Sequence, residues 1–106
     1  MKTFIPPKYA QRNAQKALDC LDKGSKAMTK TGRNRAKQLA LGKPLNKKDL
    51  QSISSFERHY KNAFYKGDIC KDRGAVAWLG WGLGYNEKRE PSLRFDNWVE
   101  RKLGQM

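Results

Sequence analysis

Between Ala75 and Trp81 the chain reads Ala75-Val76-Ala77-Trp78-Leu79-Gly80-Trp81, apolar at nearly every position. A helix without a polar face must be buried on most sides, so the remaining elements have to surround this one. Trp78 and Trp81, one turn apart, are its expected anchors. A chain of 106 residues is one domain, long enough for a modest core and too short for two. The apolar fraction of 38% is low and the charged fraction of 31% high, yet three Trp, four Phe and four Tyr supply large side chains to bury, which argues against disorder throughout.

Five helical segments separated by short turns account for the pattern, and no strand signal competes. After Pro6-Pro7, Ala10, Ala14, Ala17, Leu18 and Leu21 follow the helical period up to Gly24, a C-terminal cap. The stretch from Gly24 to Gly32 has loop composition. Thr31 or Gly32 then opens a second helix running through Leu41, with Ala36, Leu39 and Ala40 inward, Arg33, Arg35 and Lys37 outward, and Gly42 and Pro44 as the stop. Asn46 is the expected N-cap of a third helix, and Asp49 can reach back to complete a capping box. There Leu50, Ile53, Phe56, Tyr60, Ala63 and Phe64 recur at three- and four-residue steps until Gly67. Asp72 caps the apolar fourth segment, whose glycines Gly80, Gly82 and Gly84 suit close helix packing and chain reversal. Their spacing is not GxGxxG and no strand precedes them, so dinucleotide binding is not indicated. Tyr85 to Pro91 is a charged connector, and Ser92 caps a final helix with Phe95, Trp98, Val99 and Leu103 inward before Gly104. The expected fold is a compact all-α domain over residues 1–106, with four or five short helices of which the third, fourth and last build an aromatic core.

Charge divides this domain into a basic N-terminal half and a core-forming, aromatic half, 49–106. Residues 1–48 carry thirteen Lys or Arg against two acids, Asp19 and Asp22, and so hold +11 of the total +13. Charge kept only for solubility would spread over both halves, so the asymmetry points to a surface for polyanions, supported by a core that lies mostly elsewhere. Lys8, Arg12 and Lys16, four residues apart, form a row whose mutual repulsion an anion would relieve. Lys26 and Lys30, with hydroxyls and free N–H groups at the start of the second helix, resemble a phosphate-binding arrangement. Arg33 and Arg35 are planar forks suited to a base edge or a bidentate phosphate, and Lys37 extends their face. Lys47 and Lys48 sit at the end of the third helix where the dipole disfavours cations, another pointer to an external anion.

Other function classes find little support. No run approaches the roughly 18 apolar residues of a membrane span, and the N-terminus lacks the apolar stretch of a secretory signal. Cys20 and Cys70 have no metal-ligand spacing, so no metal or cofactor is expected; reduced thiols in a cytosolic setting are the default, with a single disulfide left open. His59, the lone histidine, reads as structural, at the aromatic core edge or against a helix end, and Glu57 with Asp72 forms no acid/base or metal pair. Nuclease chemistry would need clustered carboxylates or several histidines, so no enzyme activity is expected.

Three blocks carry a resemblance. Gly32-x-Asn34-Arg35-Ala36-Lys37-x-Leu39-Ala40-x-Gly42-Lys43-Pro44-Leu45, then Leu50 and Ser55-Phe56-x-Arg58-His59, then Asp72-x-Gly74-Ala75-Val76-Ala77-Trp78-Leu79-Gly80-Trp81-Gly82 resemble, in order and approximate spacing, a small tailed-phage domain with blocks "RAR-x-LA-x-G-x-PLS", "SFF-x-RH" and "G-x-x-AW-x-LWGG". The likeness spans residues 30–82 and departs at Leu83-Gly84-Tyr85, where that family usually has a second Gly and an Asp. Members occur alone and within phage structural or assembly proteins, so the resemblance implies a viral setting, in the infected cell's cytoplasm or inside the virion, without implying a reaction. Together these readings lead to a small basic phage protein that binds nucleic acid, DNA before RNA, mainly through phosphates. The alternative is a virion structural or assembly protein whose basic face docks on an acidic viral or host protein.

Overall fold

The computed structural model describes residues 2–106 and is all-α. Five helices follow in order: α1 (Lys8–Asp22), α2 (Lys30–Ala40), α3 (Lys47–Phe56), α4 (Arg73–Gly80) and α5 (Arg94–Leu103). Two 3-10 segments, Glu57–Ala63 and Ile69–Lys71, lie between α3 and α4. α1 ends in a Schellman turn: Gly24, at φ +104°, donates to Leu21 O, and Ser25 N donates to Cys20 O. The chain then reverses into α2, whose C-terminal Gly42 lies against Gln11 near the start of α1, so the two helices form an antiparallel hairpin.

α4 occupies the centre, as its lack of a polar face requires. Trp78 is fully buried and its indole N–H donates to Gly84 O at 2.7 Å. Phe56 stacks on Trp81 with ring centroids 4.7 Å apart, and Tyr60 meets Trp78 edge-on at 5.9 Å. Phe95 and Val99 of α5 complete the aromatic side. The basic half contributes more to this core than its composition suggested. Ala10, Ala14, Ala17, Ala36, Leu39 and Leu45 are all fully buried, and the small stripe on α1 brings its backbone close to α4. Gly82, at φ +85°, turns the chain directly beneath α5, where a Cβ would stand 2.7 Å from the Phe95 ring. The Phe4–Leu45 pair, joined by hydrogen bonds of 3.0 and 2.8 Å, ties the N-terminal segment to the α2–α3 connection.

Two helix boundaries and the state of the cysteines differ from expectation. α3 tightens into a 3-10 segment after Phe56, because α4 packs so closely at Gly74 that a Cβ there would strike Asn62 O, and because the Tyr85 hydroxyl takes Ala63 O at 2.5 Å. Phe64 consequently falls outside the helix and is 49% exposed. Burial pushes the Tyr85 phenol well up, in keeping with its role as a donor. Ser92 does not cap α5. Its N–H is committed to Gly84 O beside the Tyr85–Pro91 bridge, so the helix begins after Leu93 and the Ser92 hydroxyl accepts from Arg94 N instead. Cys20 and Cys70 are joined, correcting the expectation of reduced thiols: the last turn of α1 and the second 3-10 segment bring their Cα atoms to 5.0 Å.

Among the described residues Asp96 on α5 is the one buried acid, 8% exposed, and its Oδ1 has no partner. Burial first, then the charges of Glu57 and Glu100, pushes its carboxyl up to about 6. With the folded value above the unfolded one of about 3.9, its contribution is fully present below about pH 4 and is lost as pH rises through 6, at a cost of up to about 3 kcal/mol. Asp96→Asn is therefore expected to raise the thermal midpoint above pH 6 and to lose that advantage below about pH 4. A gain independent of pH would contradict the assignment.

Candidate nucleic-acid interface

Helical spacing and capping place the basic side chains. Lys8, Arg12 and Lys16 lie exposed on the side of α1 opposite Ala10, Ala14 and Ala17, each about 6 Å further along the axis. On α2, Lys30, Arg33 and Lys37 recur at three and four residues and form a second exposed row. Lys26 is exposed in the connection between these helices, and Lys47 and Lys48 are exposed in the first turn of α3. Nine of the ten expected contacts are thus available to a ligand.

Arg35 is the exception. Its side chain is only 13% exposed, and Nη1 donates to Asp49 Oδ1 at 2.7 Å and to Gln38 Oε1 at 2.6 Å. The guanidinium also lies over the Trp81 ring, 5.4 Å from its centroid. Asp49 Oδ2 in turn accepts from Asn46 N at 2.9 Å, while Asn46 Oδ1 accepts from Asp49 N, so the expected capping box forms and Arg35 is clamped to it. Burial alone would raise the Asp49 carboxyl, but hydrogen bonds from Arg35, Asn46 and Gln38 outweigh it and hold the group below its ordinary value. Arg35 therefore positions α3 against α2 instead of facing outward. Taking Ala36 and Leu39 as the buried direction, Arg33 and Arg35 fall on opposite flanks of α2; which flank meets α3 depends on the hand of the hairpin, which local pattern does not contain.

The start of α2 also differs from the expected arrangement. The helix begins at Lys30, and Thr29 caps it with Oγ1 accepting from Gly32 N at 3.1 Å, so that N–H is already taken. The preceding loop is anchored by Met28, which is buried against Gly80. His59 packs against Phe56 in a tilted arrangement, with centroids 4.6 Å apart and ring planes at 38°, at the edge of a cleft of about 360 Å3 that also contains Ser55 and Trp81. Arg58 there is held by Ser55, donating to its carbonyl and hydroxyl at 3.1 and 2.6 Å.

Sequence reading missed three cations, Lys23, Lys71 and Arg73. The Cys20–Cys70 bond brings the last two, from the nearly neutral half, beside Lys23 and Lys26 around a cleft of about 400 Å3. Only the cysteine pairing could have revealed this. Among the described residues no helix is long and apolar enough to cross a membrane, and no group of three or more His, Cys, Asp or Glu side chains could hold a metal ion. Comparison of the chain with protein-family models, curated proteins and solved structures finds no match.

Proposed function

We propose that this chain is a small basic phage protein that binds nucleic acid, DNA in preference to RNA, by laying the α1–α2 hairpin and the first turn of α3 along phosphates. The observation that carries this reading is the unpaired state of the cations. Nine of them stand exposed, and among the described residues the single ion pair is Arg35–Asp49, which is not part of the outer surface. Unpaired cations at four-residue spacing repel one another, and a polyanion relieves that repulsion while releasing its own counterions. Arg33 becomes the remaining planar fork on α2 for a bidentate phosphate. The phage setting rests on the resemblance of residues 30–82. The Cys20–Cys70 bond argues against residence in a cytosol that keeps thiols reduced.

Salt titration tests the reading. Affinity for duplex DNA should fall steeply as salt rises, with a log–log slope of about −0.9 for each phosphate contacted. A slope near zero, or no binding at about 50 mM salt, would overturn it. Recovery of one defined acidic protein, in place of nucleic acid, on purification at low salt would favour the docking alternative.

A further inference from the structure

We infer that the cleft beside the Cys20–Cys70 bond is a phosphate-binding site. Its volume of about 400 Å3 is framed by two segments distant in sequence. Lys23 and Lys26 come from the turn leaving α1, and Lys71 and Arg73 flank the cap of α4. Four cations thus face one carboxylate in the lining, Asp68, whose Oδ1 already accepts from Cys70 N at 3.0 Å. Asp72, between Lys71 and Arg73, is likewise committed, accepting from Ala75 N at 2.9 Å. None of the four cations is in an ion pair. Like charges converge only against their own repulsion. Here a covalent bond holds them together, and Gly24 leaves the cleft open, with nothing within 4 Å of where its Cβ would be.

The donor set favours phosphate over a carboxylate. Arg73 offers a planar fork and the three lysines offer point charges, which suits an anion with several oxygens and up to two charges better than one with two oxygens and one charge. Lys23 follows Lys16 by seven residues, so the row on α1 runs on toward the cleft over about 22 Å from Lys8 to Lys23. Asp19 interrupts that row and is engaged by Gln15 Nε2 at 2.9 Å. A nucleic-acid strand following α1 would place one of its phosphates in the cleft. That extension rests on the function proposed above; the phosphate site itself does not.

The experiment titrates inorganic phosphate into the disulfide-bonded protein at low salt and follows backbone amides by NMR, with acetate as the comparison anion. Saturable shifts are expected at Gly24, Ser25, Lys26 and Lys71, at least about tenfold weaker in Lys71→Gln/Arg73→Gln and weaker with acetate. Shifts that do not saturate, that spread over exposed lysines generally, or that persist in the double variant would overturn the site. A fluorescent duplex DNA supplies the second arm: the double variant should flatten the salt slope by about 0.9 for each lost contact. If the parent protein binds DNA and the variant keeps the same slope, the cleft lies off the strand's path and the extension along α1 is overturned, while the proposed function stands and the phosphate arm decides the site. If the parent binds no DNA, the proposed function fails and the phosphate arm alone decides the site.

Discussion

Trp78→Ala is expected to cost about 3–5 kcal/mol, enough to unfold much of a domain whose total stability is about 5–15 kcal/mol. The indole is fully buried at the centre of α4, and its N–H is paired with Gly84 O. Truncation would leave a cavity between Phe56 and Tyr60 and remove one of the two donors, the indole and Ser92 N, that hold Gly84 O in the turn where the chain reverses toward α5. Trp81→Ala should fall toward the lower end, since Trp81 lies near the surface, stacked on Phe56 and covered by Arg35. Denaturant unfolding of the purified variants measures both. A variant that kept its midpoint but lost partner binding would place that tryptophan in an interaction site and contradict the core described here.

Loss of the Cys20–Cys70 bond is the second large effect. The two residues are separated by 50 positions, and closing a loop of that length lowers the entropy of the unfolded chain enough to stabilise the fold by about 4 kcal/mol. The bond also fastens the end of α1 to the segment that leads into α4. The Cys20→Ser/Cys70→Ser variant, or the parent under reducing conditions, should unfold at markedly lower urea concentration. An unchanged midpoint on reduction would mean that the chain does not depend on the bond. Because helices α1 to α3 retain their own caps and core contacts, residual helicity above that of the unfolded chain is expected in the reduced form at low temperature.

Much of the helix pattern was legible in sequence because its signals are local. The Asn46–Asp49 capping box, the Asp72 cap of α4 and the Gly24 turn each depend on residues within a few positions, and all three form. The misread boundaries depend on distant partners. The 3-10 segment after Phe56 answers to Gly74 and Tyr85, and the late start of α5 answers to Gly84. The same division applies to the candidate interface. Row spacing on α1 follows from helical period, whereas the inward turn of Arg35 requires Asp49 to be placed across a helix pair, and the grouping of Lys71 and Arg73 with Lys23 requires a bond between two distant cysteines.

The central claim is that the exposed cations of the hairpin, and not net charge alone, contact phosphates. Arg35 is unsuited to testing it, because removing this partner of Asp49 would disturb the fold. Arg89 is equally unsuited as a control, since it covers the Tyr65 ring and donates to the Tyr65 hydroxyl and Gly67 O. The informative pair of variants is Lys30→Ala/Arg33→Ala/Lys37→Ala against Lys61→Ala/Lys66→Ala/Lys88→Ala, all at exposed positions and each removing the same charge. Stability should change by no more than about 0.5 kcal/mol per site in either variant. Fluorescence anisotropy with one duplex across a salt series then decides the matter. The hairpin variant should bind more weakly and lose roughly 2.7 from its log–log slope, about 0.9 per phosphate, while the control keeps the parent slope. Equal losses in the two variants would show that the ligand responds only to net charge, and the hairpin could no longer be regarded as the binding face.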